Sequence, residues 1–302
     1  MKIKTKEALT GYAFASPIIA GFTVFFLVPF IISIFYCFTE GIGTLKFVGL
    51  KNFNSLLHSS SFLLAVKNTF EFNIVCVPLI MAISLLFAVM LNKKLKGITY
   101  FRSFFILPLV IPVASVILVW NIMFDQYGAL NKLLVFFHIT PVEWMRSRWS
   151  FWILVIVYIW KNCGYNVILF LAGLNSIPKD FYEAAYIDGA GKFACLKAIT
   201  IPLLAPTGFF VFIISIINSF KVFREAYLLA GKYPYKDMYM LQHFMNNNFY
   251  NLSYQRLTTA AALMALFILL LVLALFKFEA NNGRSLDKGA IKKKKNQHSN
   301  NS

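Results

Sequence analysis

Six stretches of mostly apolar residues, each close to twenty residues long or longer, divide the chain. A bilayer core of about 30 Å needs roughly 20 apolar residues in a helix, so each stretch predicts one membrane-spanning helix. The predicted spans are Gly11 to Phe38, Thr69 to Leu91, Phe104 to Phe124, Phe151 to Leu174, Leu203 to Phe220 and Thr259 to Phe278. The pattern therefore predicts an all-α membrane protein with six transmembrane helices.

The spans also suggest how the chain is divided. The first follows "MKIKTK", which also suits a signal peptide, but its apolar run is too long and lacks a clear small-residue cleavage site, so an uncleaved anchor is expected. Residues 1–68 are expected to hold a cytoplasmic segment, the first helix and an external loop, and residues 69–278 a membrane domain. Residues 279–302 form a basic tail that we predict to be disordered near anionic lipid headgroups.

The segment between the fourth and fifth spans departs from this pattern. "EAAYIDGAGKFACLKAITIP" places charges and glycines between two apolar runs. The stretch of about 176–202, called the elbow here, predicts a short helix, a glycine break and a second short helix, with Ser176 as N-cap and Pro178 in the first turn. Protruding charges and an apolar face favour a docking element, and a helix lying on the bilayer surface is the alternative.

Composition and charge narrow the class of protein. Hydrophobic residues make up 59% of the chain and charged residues only 14%, against roughly a quarter charged in soluble domains. The net charge of +17 could suggest nucleic acid, but Lys and Arg lie at the ends of apolar runs and in the tail. They are more frequent on the side of the membrane that holds the N-terminus, which predicts that both termini are cytoplasmic. No nucleic-acid partner is expected.

Common site motifs are missing. "GAGK" in the elbow resembles the end of a phosphate-binding loop, but that motif needs Gly where this chain has Tyr186 and Ser or Thr where it has Phe193. The four cysteines have neither zinc nor redox spacing. We therefore expect no metal, no bound cofactor and no catalytic residues.

Polar residues within the spans are candidates for a solute pathway. Asn162, Tyr165 and Asn166 in the fourth span share one helix face, and amides, hydroxyls and aromatic rings are the groups that bind sugars. Asn121 and Asn218, in the third and fifth spans, are weaker candidates. The alternative is that these groups form hydrogen bonds between helices.

Lys161 lies beside this cluster. A charge at mid-bilayer costs about 2.5 to 3.5 kcal/mol, so exposure to lipid is not expected. The side chain could extend towards the outer surface or pair with Glu71.

The elbow resembles the cytoplasmic motif of the permeases of binding-protein-dependent ABC importers, in particular the sugar branch that includes maltose and glycerol-3-phosphate systems. Their motif is Glu-Ala-Ala, three residues, Gly, nine residues, Ile, one residue and Leu-Pro. This chain has Glu183, Ala184, Ala185, Gly189, Ile199 and Ile201-Pro202, with Ile in place of Leu. "GLKNFNSLL", "RSFFILPLVIP" and "FREAYLLA" also resemble sugar-permease segments, in the expected order, over nearly the whole chain.

The resemblance implies a type I ABC importer permease fold that forms half of a pathway for a sugar or oligosaccharide. It implies a second permease subunit, two ATPase subunits that hold ATP and Mg²⁺, and an extracellular solute-binding protein. The elbow would be the coupling helix. Its implied contacts with the ATPase are Glu183, Ala184, Ala185, Asp188, Gly189, Ile199 and Pro202.

Two points stay open. Many relatives carry a Thr and a glycine-rich segment after "FREAYLLA", whereas this chain has "GKYPYKD" at Gly231 to Asp237. This segment is an expected external loop that would meet the binding protein, so the resemblance does not identify that partner. The substrate could be glycerol phosphate or another non-sugar solute, and a freestanding channel or membrane enzyme is a remote alternative. Richness in Lys, Asn, Ile and Phe favours the plasma membrane of a Gram-positive bacterium, where the binding protein would be a lipoprotein.

Overall fold

The computed structural model describes residues 2–41, 44–92 and 98–299 of the chain. The helices are α1 Lys2–Phe22, α2 Val28–Cys37, α3 Lys51–Leu57, α4 Ser60–Leu91, α5 Ile98–Val110, α6 Val113–Phe124, α7 Ala129–Phe136, α8 Trp149–Ser176, α9 Asp180–Ile187, α10 Lys192–Cys195, α11 Ile201–Ser219, α12 Phe223–Ala230, α13 Leu241–Tyr250 and α14 Tyr254–Ser299. Two short strands, β1 Thr39–Glu40 and β2 Lys46–Phe47, pair antiparallel. Single π-helical turns, Thr23–Leu27 and Leu196–Thr200, precede α2 and α11.

The described residues contain six candidate membrane spans, as the apolar pattern predicts. By length and composition they are Glu7–Cys37, Ser60–Leu91, Val113–Phe136, Trp149–Ser176, Lys192–Ser219 and Tyr254–Glu279. The prediction of an all-α protein with six transmembrane helices is confirmed. The predicted division at residues 68 and 278 stays a prediction.

The third predicted span, Phe104 to Phe124, is wrong as a single helix. Helix α5 ends at Val110 and α6 begins at Val113. Pro112 has no backbone N–H and disfavours helical geometry at the residue before it, so the helix breaks at this point. The third candidate span of the structure begins at Val113, after this break, and covers α6 and α7.

Two helix ends also differ from expectation. Ser176 ends α8 instead of capping the next helix, and its hydroxyl donates back to the carbonyl of Gly173 at 2.7 Å. The tail predicted to be disordered is helical backbone as far as Ser299. Residues 300–302 of that tail lie outside the described residues.

The described chain divides into two compact units, of which the first comprises residues 1–63 and 244–269. Its β hairpin is held by an ion pair between Lys51 and Glu40 at 2.7 Å. The Asn52 amide donates to the carbonyls of Cys37 and Thr39 at 2.9 and 2.8 Å. These bonds fix the turn that follows the first span.

The second unit comprises residues 64–243 and 270–302, and α8 is its central helix. Half of the apolar side chains of α8 are buried, and Tyr158 packs edge-on against Phe72 of α4 with ring centroids 5.4 Å apart. Aromatic pairs with this geometry contribute roughly 0.5–1.5 kcal/mol beyond the area that they bury.

Two glycines bring the neighbouring helices close to α8. A Cβ atom at Gly164 would overlap the backbone carbonyl of Phe105 in α5. A Cβ atom at Gly173 would lie 2.6 Å from the hydroxyl oxygen of Thr207 and 2.8 Å from Leu204, both in α11. Small residues at such positions allow backbones to pack closely in membranes, where dispersion contacts rather than the hydrophobic effect drive helix association.

Candidate functional site

A polar cavity of about 280 Å³ lies within the second unit. Five of its lining residues come from one face of α8, and the others come from α4, α5, α11, α12 and the turn before α12. The lining residues are Ile80, Leu109, Tyr158, Lys161, Asn162, Tyr165, Asn166, Ser215, Asn218, Lys221, Arg224 and Glu225. Its volume is close to the lower limit of about 300 Å³ for ligand pockets.

The face of α8 follows from helical spacing. Residues three, four, seven and eight positions apart lie one above another on a helix. Tyr158, Asn162, Tyr165 and Asn166 therefore line one wall, as the sequence predicts for the last three. Tyr165 is half-exposed, whereas only 3% of Asn166 is exposed.

The amide side chains make different bonds. The Asn166 amide donates to the hydroxyl of Ser215 in α11 at 2.8 Å, so Asn166 also links two helices. The Asn162 amide donates to the carbonyl of Tyr158 on its own helix at 2.9 Å. Asn218 contributes from α11. Both the pathway and the helix-linking interpretations thus find support at Asn166, and the pathway role of these residues stays a prediction.

Asn121 does not join this cluster. Its amide donates to the carbonyl of Leu228 at 3.4 Å, and the residue lines a separate cavity of about 430 Å³. That second cavity also contains Asp125, Glu143, Trp144 and Arg146.

The partner of Lys161 is Glu225 of α12, and both proposed alternatives for Lys161 are wrong. The ammonium donates to Oε1 of Glu225, and 7% and 5% of the two side chains are exposed. Glu71 instead pairs with Lys67 at 3.5 Å on the exposed surface of α4. Burial explains the pairing, because an unpaired charge in a low-dielectric core costs several kcal/mol.

The sequence does not predict four of the polar residues that line the cavity, namely Ser215, Lys221, Arg224 and Glu225. A signal was available: "FREAYLLA" places one carboxylate after an apolar span, and Lys161 is the one charge in the predicted fourth span. Opposite charges isolated in apolar surroundings are expected to find each other.

The segment after α12 is hydrogen-bonded to α4. The Asn68 amide donates to the carbonyls of Lys236 and Tyr239 at 2.6 and 3.0 Å. Nearby, the His243 ring is fully buried, and burial lowers its pKa to about 4. A neutral imidazole accepts from the Met240 N–H at 3.2 Å. The segment with the unusual "GKYPYKD" sequence thus has a fixed end.

The elbow is a short helix followed by a glycine turn, as predicted. The N–H of Ala190 donates to the carbonyl of Ala185 at 2.8 Å, and that of Gly189 to Tyr186 at 3.1 Å. This pair of bonds is the Schellman motif, which places the residue after the helix in the left-handed region. Gly189 has φ of +77°, which explains why glycine is present there.

The elbow exposes large apolar side chains beside charged ones. Ile187 and Phe193 are 86% and 78% exposed, and Phe181 is also exposed. Glu183, Ala184 and Asp188 are exposed, whereas Ala185 and Ile199 are half-buried and Pro202 is exposed at the start of α11. A bond of 2.9 Å between the hydroxyls of Tyr182 and Thr200 ties the short helix to the π turn.

Comparison with known proteins identifies the family. The model of the family described as "binding-protein-dependent transport system inner membrane component" matches residues 74–282. The chain belongs to this family. We refer to it below as the permease.

Two relatives and one solved structure extend the comparison. The permease is 34% identical over 238 residues to the trehalose/maltose transport system permease protein MalF of Thermococcus litoralis, covering 77% of this chain and 81% of the relative. It is 36% identical over 227 residues to the arabinooligosaccharides transport system permease protein AraP of Bacillus subtilis, covering 72% and 71%. A bacterial ABC transporter that imports the acidic polysaccharide alginate contains a chain that matches with a TM-score of 0.83 at 23% identity, covering 91% of this chain and 96% of that one.

These findings confirm the predicted fold and class. The permease has the ABC importer permease fold, is a multi-pass membrane protein and is a transporter subunit rather than an enzyme. Its family works with a binding protein.

Proposed function

We propose that the permease forms half of a transmembrane pathway for a sugar or oligosaccharide. The polar cavity beside α8 carries this proposal, because amide and hydroxyl groups gathered in an apolar membrane core are suited to hydrogen-bond a sugar. The names of the trehalose/maltose and arabinooligosaccharide relatives support a saccharide as the solute.

The remaining subunits of the importer follow from this proposal. A second homologous permease completes the pathway, two ATPase subunits bind ATP and Mg²⁺, and an extracellular solute-binding lipoprotein delivers the sugar. Both termini and the elbow lie in the cytoplasm, and the Gly231 to Asp237 loop lies outside. The composition supports the plasma membrane of a Gram-positive bacterium as the location.

The elbow transmits the closure of the ATPases. Its exposed Ile187 and Phe193 form an apolar surface on a segment that also carries Glu183 and Asp188, and such surfaces mark protein interaction sites. Movement of the elbow pulls directly on α11, because the π turn joins the two without a loop. ATP-driven movement then switches the pathway between inward-open and outward-open states as a rigid-body rotation.

Replacing Asn162 tests the proposed pathway. Asn162→Ala removes an amide that lines the cavity but breaks no bond to another helix in the described part of the chain. Loss of one sugar hydrogen bond of about 0.5–1.5 kcal/mol should lower uptake roughly two- to tenfold. The measurement is uptake of labelled oligosaccharide by cells that carry the variant importer, with the amount of permease in the membrane recorded. Asn166→Ala should reduce both the uptake and the amount of permease in the membrane, since it also breaks the bond to Ser215. Unchanged uptake in both variants would refute the pathway.

Replacing Gly189 tests the elbow. Gly189→Val should retain the permease in the membrane but abolish most sugar-stimulated ATP hydrolysis in the reconstituted complex. No neighbouring atom lies within 4 Å of a Cβ atom at this position, so the substitution causes no steric overlap. The free-energy cost comes instead from the φ of +77°. It is about 1–2 kcal/mol for an L-residue and more for a β-branched one.

Gly191→Val is the matched control for this variant. Gly191 has φ of −74° and equally open surroundings, so valine fits without strain and stimulation should stay close to wild type. Wild-type stimulation in Gly189→Val, with the ATPase fully retained, would show that the elbow is not the coupling element.

A further inference from the structure

The charges around the polar cavity do not balance. Three of the described lining residues are cationic, Lys161, Lys221 and Arg224, and only Glu225 is anionic. Glu225 is already bound by the buried Lys161, and the Arg224 guanidinium is 4.0 Å from the same carboxylate oxygen. The cavity therefore carries an excess of two positive charges.

The two excess cations are placed to meet a solute. Arg224 is 68% exposed and Lys221 is exposed, yet both line the cavity. In the described part of the chain, Lys221 has no ion pair with an acidic side chain. Both residues follow the end of α11 that is opposite the elbow. In the proposed topology, this is the end from which a delivered solute enters.

A neutral sugar gives no reason for this arrangement. Amides and hydroxyls are enough to bind its hydroxyl groups, and exposed cations close together repel each other. A cleft with one sign of charge attracts ligands of the opposite sign and concentrates them at its mouth. Arginine in addition binds carboxylate and phosphate through two parallel hydrogen bonds, which a neutral hydroxyl cannot match.

We propose that the solute of this permease is an acidic saccharide, whose carboxylate or phosphate group is bound by Arg224 and Lys221. This inference rests on the proposed function of the cavity as part of the sugar pathway. Asn162, Tyr165 and Asn218 contact the sugar ring, and the Arg224 guanidinium lies at the cavity edge, 4.0 Å from a carboxylate oxygen of Glu225.

The test measures binding to the importer complex in nanodiscs by saturation-transfer difference NMR titration. Trigalacturonate is compared with its fully methyl-esterified form, which keeps the rings and hydroxyls but removes the charge. A hexose phosphate is compared with the corresponding methyl hexoside, so that carboxylate and phosphate sources are distinguished. We expect the anion of at least one pair to bind roughly tenfold more tightly than its neutral partner at low salt, and the difference to shrink at high salt.

Variants then assign the effect to the two cations. Arg224→Gln and Lys221→Gln should each weaken binding of the anion roughly three- to tenfold and leave binding of the neutral partner unchanged. Lys132→Gln is the matched control, because Lys132 is an exposed lysine of α7 outside the cavity, and it should bind both like wild type.

Several outcomes overturn the inference. Equal affinity for each anion and its neutral partner would overturn it. Arg224→Gln and Lys221→Gln variants that lose as much affinity for the neutral probe as for the anion would overturn it too. Weaker docking of the binding protein in Arg224→Gln and Lys221→Gln, with discrimination between probes unchanged, would assign the cations to that protein instead. Binding of neutral maltotriose without preference for anions would refute an acidic solute and leave the proposed sugar pathway intact. Failure of the pathway itself is measured separately, by uptake in Asn162→Ala.

Discussion

Gly164→Ala is expected to prevent the permease from accumulating as a stable membrane protein. The added methyl group would overlap the backbone carbonyl of Phe105, and a carbonyl cannot move aside as a flexible side chain can. Helices α5 and α8 would have to separate, and overpacking of this kind costs about 1–3 kcal/mol or more. Separation would also open the wall of the polar cavity, which both helices line.

The measurement is thermal unfolding of the detergent-solubilised permease, together with its amount in the membrane. Gly208→Ala is the matched control, since a Cβ atom there would lie 3.9 Å from the Phe170 ring, an ordinary contact. That variant should unfold like wild type or slightly later, because alanine favours helix over glycine. Equal stability of the two variants would show that α5 and α8 do not approach at Phe105.

Glu225→Gln is expected to destabilise the permease by about 3–5 kcal/mol, because it leaves the ammonium of Lys161 buried without its carboxylate. Lys161→Gln should have a similar effect through the unpaired carboxylate. The double variant Lys161→Gln/Glu225→Gln should be clearly more stable than either single one, since it removes both buried charges and keeps groups that can hydrogen-bond.

The exposed pair Lys67 and Glu71 is the control for this cycle. Its charges lie 3.5 Å apart with more than half of each side chain exposed, and such pairs contribute only about 0.3–0.5 kcal/mol. Glu71→Gln should therefore leave thermal unfolding almost unchanged. If the losses in Lys161→Gln and Glu225→Gln simply add in the double variant, the two residues do not interact and the buried pair is wrong.

The sequence predicts the local features well where a single segment decides the outcome. Apolar length alone identifies six spans, because the bilayer requires about 20 residues in each helix. The glycine turn of the elbow is equally local, since the hydrogen bonds that fix Gly189 come from residues within the preceding helix. The break at Pro112 also has a local cause. The apolar run continues through it, however, because a broken helix in the membrane has the same apolar composition as a continuous one.

Contacts between distant segments cannot be predicted from local sequence in this way. Lys161 and Glu225 lie on α8 and α12, 64 positions apart, and nothing in the spacing of either helix selects that partner over Glu71. Helical spacing puts Asn166 on the same face of α8 as Asn162 and Tyr165, but its bond to Ser215 depends on how α8 and α11 cross. Asn121 has the same residue type and a similar setting, yet it lines another cavity.

The sequence by itself thus determined the class of protein, the six spans and the elbow, because hydrophobic length, helical period and a positive φ depend on neighbours in the chain. Only the tertiary structure decided which polar groups share the cavity and that its cations exceed its anions. The approach of α5 to α8 at Gly164, the pairing of Lys161 with Glu225 and the position of Arg224 beside them result from packing between helices. Electrostatic balance in a cavity is a sum over all the helices that line it, so no single segment of sequence carries it.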